Sequence, residues 1–343
     1  MIPFLRTTVS GLLLALANAS LAWDYEAHSA INQLALSSLP ADFPAFVRTP
    51  SAQERIAFLS GEPDRWRNTP DLALRHGNGP DHYFDLDNLA AYDLKPEQLP
   101  LFRYDFVAAL ALFRAAHLAR FTPPSPARNE DHTRELPGLL PWALAEQYGK
   151  LKSAFAYLRA LQAGGTADEI QNAQDNVIYL MGVMGHLAGD ASQPLHTTVH
   201  HHGWVGTNPR GYTTNGTIHE WIDGGFFGKT GGLDLTQLRS GLRPAQALKE
   251  GGQGVEVFEA IVTCLATQNR LVEPLYQLDR DGKLKADSPE RAQGRAFLEN
   301  QLRTGAALLA DLWLSAWRHA PEDRYLKGKL AERKGASAPP AAR

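Results

Sequence analysis

Residues 186–196 read HLAGDASQPLH, so two histidines and an aspartate close a segment that otherwise reads as deep core. Immediately upstream, Val177, Ile178, Leu180, Met181, Val183 and Met184 leave almost no polar side on a helix, which predicts a helix buried on most of its faces. A carboxylate buried there without a partner costs several kcal/mol, comparable with the whole stability margin of a domain. Asp190 therefore needs a counter-charge or a metal. His186 and Asp190 stand four residues apart, so on a helix their side chains stack on one face and reach a common point. That spacing suits two metal ligands, and it equally suits a buried ion pair.

Working outward, the 343 residues are 44% hydrophobic and 21% charged, enough for a large core in one or two domains, and this composition excludes wholesale disorder. A net charge of -3 gives no footprint of a dedicated duplex-binding protein, although a cleft holding metal ions binds phosphates without a basic surface. Residues 1–22 read as an export signal: Arg6 supplies the positive start, Val9 to Ala17 the short apolar run, and Ser20-Leu21-Ala22 the small-residue cleavage site. The mature chain is then expected to begin at Trp23 and to be periplasmic or secreted. No later apolar run is long enough to span a bilayer and no cysteine follows the cleavage site for lipid attachment, so no transmembrane anchor is expected.

The single cysteine, Cys264, lies in the apolar pattern VFEAIVTCLATQ (257–268) and reads as a core thiol rather than a nucleophile. Any zinc site must then use histidine, carboxylate or less usual ligands. Apolar periodicity predicts helices near 26–39, 104–120, 141–163, 167–190, 254–278 and 288–318, and strand patterns are scarce, so the fold class is all-α. TPPSPARNEDHT (122–133) reads as a surface linker and GWVGTNPRGYTTNGT (203–217) as a long functional or mobile loop. The expected domain is a single helical unit over 23–326, followed by a disordered tail over 327–343 rich in Lys, Ala and Pro.

The twelve histidines are unevenly placed. Besides the opening stretch, four segments combine His or Asp with aromatic or glycine-rich context: WDYEAH (23–28), GEPDRWR (61–67), GPDHYFDLD (79–87) and HEWID (219–223). His219 and Asp223 repeat the four-residue spacing of His186 and Asp190, and two such pairs are harder to attribute to chance than one.

In this order of motifs, from Trp23 to Asp223, the chain resembles the zinc-dependent nuclease and phospholipase C superfamily, and within it the S-one/P-one single-strand-specific nucleases. The resemblance implies an all-helical fold with a trinuclear zinc cleft and three Zn2+ ions. It implies that Asp64, His82, His186 and Asp190 hold the first ion, and His196, His219 and Asp223 the second. The third would take the amino nitrogen and carbonyl oxygen of Trp23, with His28 and the other oxygen of Asp190, so that Asp190 bridges two metals. Asp64 and Arg67 are then the expected catalytic residues, with the Arg67 donor fork on a phosphate. Tyr83 and Asp85 match positions that stack on and hydrogen-bond to a base. His200, His201 and His202 suit a substrate rim better than a metal, and His76, His117, His132 and His319 have no matched partner.

The chemistry agrees with that implication, since imidazole nitrogen and carboxylate oxygen are ordinary zinc ligands and a metal-activated water suits phosphoester hydrolysis. The expected activity is cleavage of single-stranded DNA or RNA, with 3′-nucleotidase activity beside it. The alternatives are a zinc-dependent phospholipase C acting on phospholipid, and a zinc-binding protein without turnover. The chain departs from the nucleases in reading Trp23-Asp24, where they continue Trp-Gly, and in lacking disulfides. The phospholipase C relatives carry Glu where this chain has Asp223, and a longer interval than the five residues from Trp23 to His28; both features lean toward the nucleases.

Overall fold

In the computed structural model, which describes residues 23–249, 251 and 253–336, the chain is built from helices. Among these residues no strand forms, and the extended pairing present is an isolated antiparallel bridge between Phe84 and Gly138. The expected export signal, 1–22, lies outside the described residues. No helix among those described is long and apolar enough to cross a membrane.

Helix α1 (Tyr25–Ser38) starts on Asp24, whose carboxylate accepts from the Ala27 amide at 2.9 Å and so satisfies one of the unpaired first-turn donors. Three short helices follow: α2 (Pro50–Leu59), α3 (Glu62–Arg67) and α4 (Leu72–Asn78). Periodicity over a long window passes over them. The local signals for two are nonetheless present, because Thr49 caps α2 with Pro50 at its first position and Asp71 caps α4. After α5 (Arg103–Ala116), the long helices α6 (Leu140–Gly164) and α7 (Ala167–Asp190) run side by side.

Helix α7 is the centre of the fold. A capping box starts it: the Glu169 amide donates to Thr166 Oγ1 at 3.2 Å, and Glu169 Oε2 accepts from the Thr166 amide at 2.7 Å. Its C-terminal half packs against several helices at once, and every residue from Met181 to Asp190 is buried. The close approach of α1 depends on small residues along this half. A Cβ built on Gly185 would overlap Asn32 Oδ1, and one on Gly189 would lie 2.6 Å from His28 Nδ1. Asn32, fully buried, uses the space to donate to Ile56 O (2.8 Å) on α2 and Gly182 O (3.0 Å) on α7, tying three helices together.

Beyond the 203–217 loop come α8 (Ile218–Glu220), a π-helical turn at Trp221–Gly225, α9 (Phe226–Lys229) and α10 (Leu235–Ser240). The loop is pinned rather than open, with Trp204 packed among His200, Tyr212 and Tyr276. The helix read over 254–278 is two helices, α11 (Val255–Asn269) and α12 (Val272–Arg280). Pro274 explains the break, because its ring would clash with the Arg270 carbonyl in a continuous helix. Helix α13 (Arg291–Arg318) then packs along α1, α6 and α7, with Leu298, Leu302, Leu309 and Trp313 in the core.

The tail read as disordered from 327 departs from that reading over its first part, where α14 (Arg324–Ala336) forms. Composition misleads here because the helix gains its contacts from tertiary docking: Leu330 is buried against α6 near Gly164, and Arg333 pairs with Glu169 at 2.8 Å. Residues 337–343 lie outside the described set.

Candidate metal centre

The opening motif ends where α7 ends. Gln193 and Pro194 stop the helix, a 3₁₀ turn over Pro194–Thr197 follows, and every residue from Met181 to Thr198 is buried. Gln193 caps the turn through its side-chain oxygen, which accepts from the Leu195 amide at 3.0 Å, and donates its Nε2 to Asp223 Oδ1 at 2.6 Å. Helix α7 thus delivers His186 and Asp190, the turn delivers His196, and Gln193 links them to the π-helical turn.

Asp64, His82, His186 and Asp190 meet at one point. His82 Nδ1 lies 2.9 Å from His186 Nε2, 3.1 Å from Asp190 Oδ2 and 4.0 Å from Asp64 Oδ1. His186 Nε2 lies 3.3 Å from Asp190 Oδ2 and 3.8 Å from Asp64 Oδ1. These separations scatter around ~3.4 Å, the edge of a tetrahedron of N and O ligands each ~2.0–2.2 Å from a central zinc. The histidines are oriented from behind, as metal-ligating imidazoles are. His186 Nδ1 sits 2.7 Å from the Ser60 carbonyl, which favours the tautomer leaving the Nε2 lone pair for the centre. His196 Nδ1 is held likewise by the His82 carbonyl at 2.6 Å.

His196, His219 and Asp223 form a second group whose ligand atoms lie within 4.8 Å of one another, with His219 Nε2 3.3 Å from Asp223 Oδ2. His219 and Asp223 reach it across the α8–π junction; π-helical turns recur at functional sites. A third group unites His28 with His186 and Asp190. Its hinge is Asp190, whose Oδ2 faces His82 and His186 while Oδ1 lies 3.5 Å from both His28 Nε2 and His196 Nδ1. Trp23, fully buried, donates its indole N–H to Gly189 O at 3.1 Å, and the Asp24 amide donates to Asp223 O at 3.2 Å. Trp23 and Asp24 are therefore clamped between the end of α7 and the π turn.

The electrostatics fit cations at these points. Burial opposes the charge on Asp190, yet the His186 charge and hydrogen bonds from His186 and His82 hold its carboxyl well below the usual range. Burial lowers the imidazoles of His28, His196 and His219, with His28 and His219 well below the ordinary value, keeping the neutral form that ligates metal. Burial also pushes the Asp223 carboxyl well above its ordinary value, and a cation nearby would reverse that. Buried polar atoms are normally hydrogen-bonded. Both ring nitrogens of His28 and His219, His196 Nε2, Asp190 Oδ1 and Asp223 Oδ2 have no hydrogen-bond partner among the described residues. These residues fit metal ions.

A cavity of about 220 Å³ opens over the second group, lined by His196 and His219 and by Arg67, Tyr83 and Asp85. Arg67 Nε pairs with Asp64 Oδ1 at 2.8 Å, so its guanidinium is fixed beside the first group. Tyr83 is extended, and such backbone turns residues 83 and 85 to one side and Phe84 to the other. Phe84 accordingly fills the core against Phe106 and Trp142. The segment is clamped by the bonds Phe84 N to His196 O (2.8 Å) and Asp85 N to Pro137 O (2.6 Å). Burial, then the charge of Asp87, pushes the Asp85 carboxyl up to about 7. Its Oδ1 is buried and without a hydrogen-bond partner among the described residues, free for a ligand.

The candidate residues other than Trp23 thus lie at the three groups or on the cavity beside them, and Trp23 is placed against the end of α7 through its indole alone. His201 and His202 line the cavity rim, while His200 stacks on Trp204. His76, His117 and His319 bond to backbone carbonyls elsewhere. Desolvation pushes the thiol of the partly buried Cys264 up to about 12, as suits an unreactive thiol. Sequence reasoning missed the Ser60 and His82 carbonyls, which carry no side-chain signal. It also missed Gln193 and Arg134, of which Gln193 stood inside the quoted motif. No family model and no curated protein matches the chain.

Proposed function

We propose that the chain is an exported zinc-dependent phosphodiesterase that hydrolyses single-stranded DNA and RNA, with 3′-nucleotidase activity as a related capacity. The observation that carries this reading is the meeting of three buried His/Asp groups at Asp190, beside a cavity that holds Arg67, Tyr83 and Asp85. When bound, zinc supplies Lewis acidity and an activated water at neutral pH. The chain's own residues do the rest. Asp64, His82, His186 and Asp190 would hold one ion, His196, His219 and Asp223 another, and Trp23, His28 and Asp190 a third. Arg67, oriented by Asp64, offers two-point hydrogen bonding to a phosphate. Tyr83 offers a ring for a base, and Asp85 a carboxyl able to donate or accept.

The deciding experiment assays the zinc-loaded mature protein side by side on single-stranded DNA, RNA and phosphatidylcholine. Cleavage of nucleic acid supports the proposal, hydrolysis of the lipid alone replaces it with a phospholipase C, and zinc binding without turnover makes the chain a zinc-binding protein. Tyr83→Ala and Asp85→Ala should each lower kcat/KM on nucleotides with zinc content unchanged, by about 5- to 150-fold if a base interaction of ~1–3 kcal/mol is removed. Unaltered nucleotide kinetics in both variants would remove these residues from substrate recognition.

A chain beginning at Trp23 is expected to bind about three zinc ions, and one with a single residue added before Trp23 about two, with turnover correspondingly reduced. A free α-amino group has a pKa of about 7.7–8.0 and can yield its proton to zinc near neutral pH, whereas an amide nitrogen is a poor ligand. Export and processing would then complete the site outside the cell. Equal zinc content in the two chains, measured by elemental analysis, would exclude the terminal amine as a ligand.

A further inference from the structure

A second, larger groove of about 830 Å³ adjoins the inner cavity. Arg67, Tyr83 and Arg134 line both, so one aromatic ring and two guanidiniums form a shared wall. The inner cavity is smaller than the ~300–1,000 Å³ of pockets that enclose a ligand of ordinary size, so a longer substrate must continue outward. Its path leads over the 122–133 segment, which reads as a linker in sequence but here, with Arg134, forms the far wall.

That wall is positively charged and fixed. Arg75 spends its charge on Glu130 and Asp131, at 3.1 and 3.5 Å, and Arg67 is paired with Asp64. Among the described residues no ion pair engages Arg128 or Arg134, and Arg134 Nε donates to the Arg128 backbone carbonyl at 3.2 Å, which fixes the Arg134 side chain against the Arg128 backbone. The segment is built rather than loose. Asn129 is buried; its Nδ2 donates to both Glu135 carboxylate oxygens at 3.0 and 3.1 Å, and its Oδ1 accepts from the Arg134 amide at 3.0 Å. His132 takes the left-handed backbone at φ 55°, and His76 Nδ1 lies 2.7 Å from the Asp131 carbonyl, tying the segment to α4.

We infer that Arg128 and Arg134 form a second phosphate subsite, which takes a further phosphodiester of the same single strand whose scissile bond lies over the metal centre. The inference rests on the nuclease reading and adds the direction in which the strand leaves the cavity. A nucleic acid strand suits this groove better than a lipid, because guanidiniums and acids stand where acyl chains would need apolar walls.

The test uses Arg128→Gln and the double variant Arg128→Gln/Arg134→Gln. Binding of a fluorescent single-stranded decadeoxynucleotide is measured by anisotropy in chelator, where no turnover occurs, over a range of salt. Removing one arginine from a phosphate should lower the slope of log affinity against log salt by about 0.7, so the double variant should lose about 1.4 and bind at least about tenfold more weakly at low salt. With zinc restored, Arg128→Gln should lower kcat/KM on the decanucleotide about fivefold while leaving a dinucleotide, which has a single phosphodiester, within about twofold of wild type. Unchanged slopes and affinities in the variants, with a wild type that cleaves the dinucleotide, would overturn the subsite alone. Failure of the wild type to cleave any nucleotide would overturn the nuclease reading and the subsite with it. Both positions are exposed, so an unaltered unfolding midpoint verifies that the variants fold.

Discussion

Asp190→Asn is expected to lose two metal ions together and to lower turnover by about 10³-fold or more, equivalent to ~4 kcal/mol of transition-state stabilisation. The size of the effect follows from the two sides of one carboxylate. Oδ2 lies 3.1 Å from His82 Nδ1 and 3.3 Å from His186 Nε2, and Oδ1 lies 3.5 Å from His28 Nε2 and from His196 Nδ1. Asparagine keeps the shape but removes the charge and turns one oxygen into a donor, so two ligand sets lose their shared anion at once. Asp223→Asn, which touches one set, should lose one ion. In the metal-free protein Asp190 is the buried counter-charge to the His186 imidazole 3.3 Å away, and breaking a buried pair costs on the order of 3 kcal/mol. Elemental analysis of the folded variant, with circular dichroism to verify its helices, reads the result. Three ions and normal turnover would remove the bridge.

Gly185→Ala should have the largest effect on folding. The added methyl would occupy the position of Asn32 Oδ1, and Asn32 cannot move without abandoning the carbonyls of Ile56 and Gly182. Overpacking costs ~1–3 kcal/mol and each buried polar group left unsatisfied ~1–3 kcal/mol, so a total of ~3–5 kcal/mol is expected, beyond the ordinary range for one substitution. The site should suffer too, because His28 lies one turn before Asn32 on the same face of α1. Urea unfolding of the metal-free protein measures the loss. If the wedge is the cause, Asn32→Ala/Gly185→Ala should be less destabilised than the sum of its single variants. A strictly additive double variant, or a destabilisation under about 1 kcal/mol, would show that α1 and α7 do not depend on this close approach.

What the sequence by itself determined is what repeats at short range. The near-continuous apolar run before His186 specified α7 and its burial, because a helix without a polar side has to be enclosed. The two four-residue His/Asp spacings marked side chains that converge on a common point, because residues at that spacing share a helix face. Pro274 already carried the break between α11 and α12, and Thr49-Pro50 the start of α2, though a reading by periodicity alone passes over both. The tertiary structure alone decided which distant segments meet. Composition read residues from 327 onward as tail, and docking against α6 and Glu169 made the first of them helix. The stretch 122–133 read as linker and became the wall of a groove beside Arg67 and Tyr83. The carbonyls of Ser60 and His82, which fix the imidazoles of His186 and His196, belong to the backbone and leave no mark in residue type. The reason is physical: periodicity reports which side of an element is apolar, whereas the meeting of His28, Asp64, His82, His196 and Asp223 around Asp190 depends on how closely helices approach. That approach rests on the missing side chains of Gly185 and Gly189, whose role appears only when the neighbour that fills the space is seen.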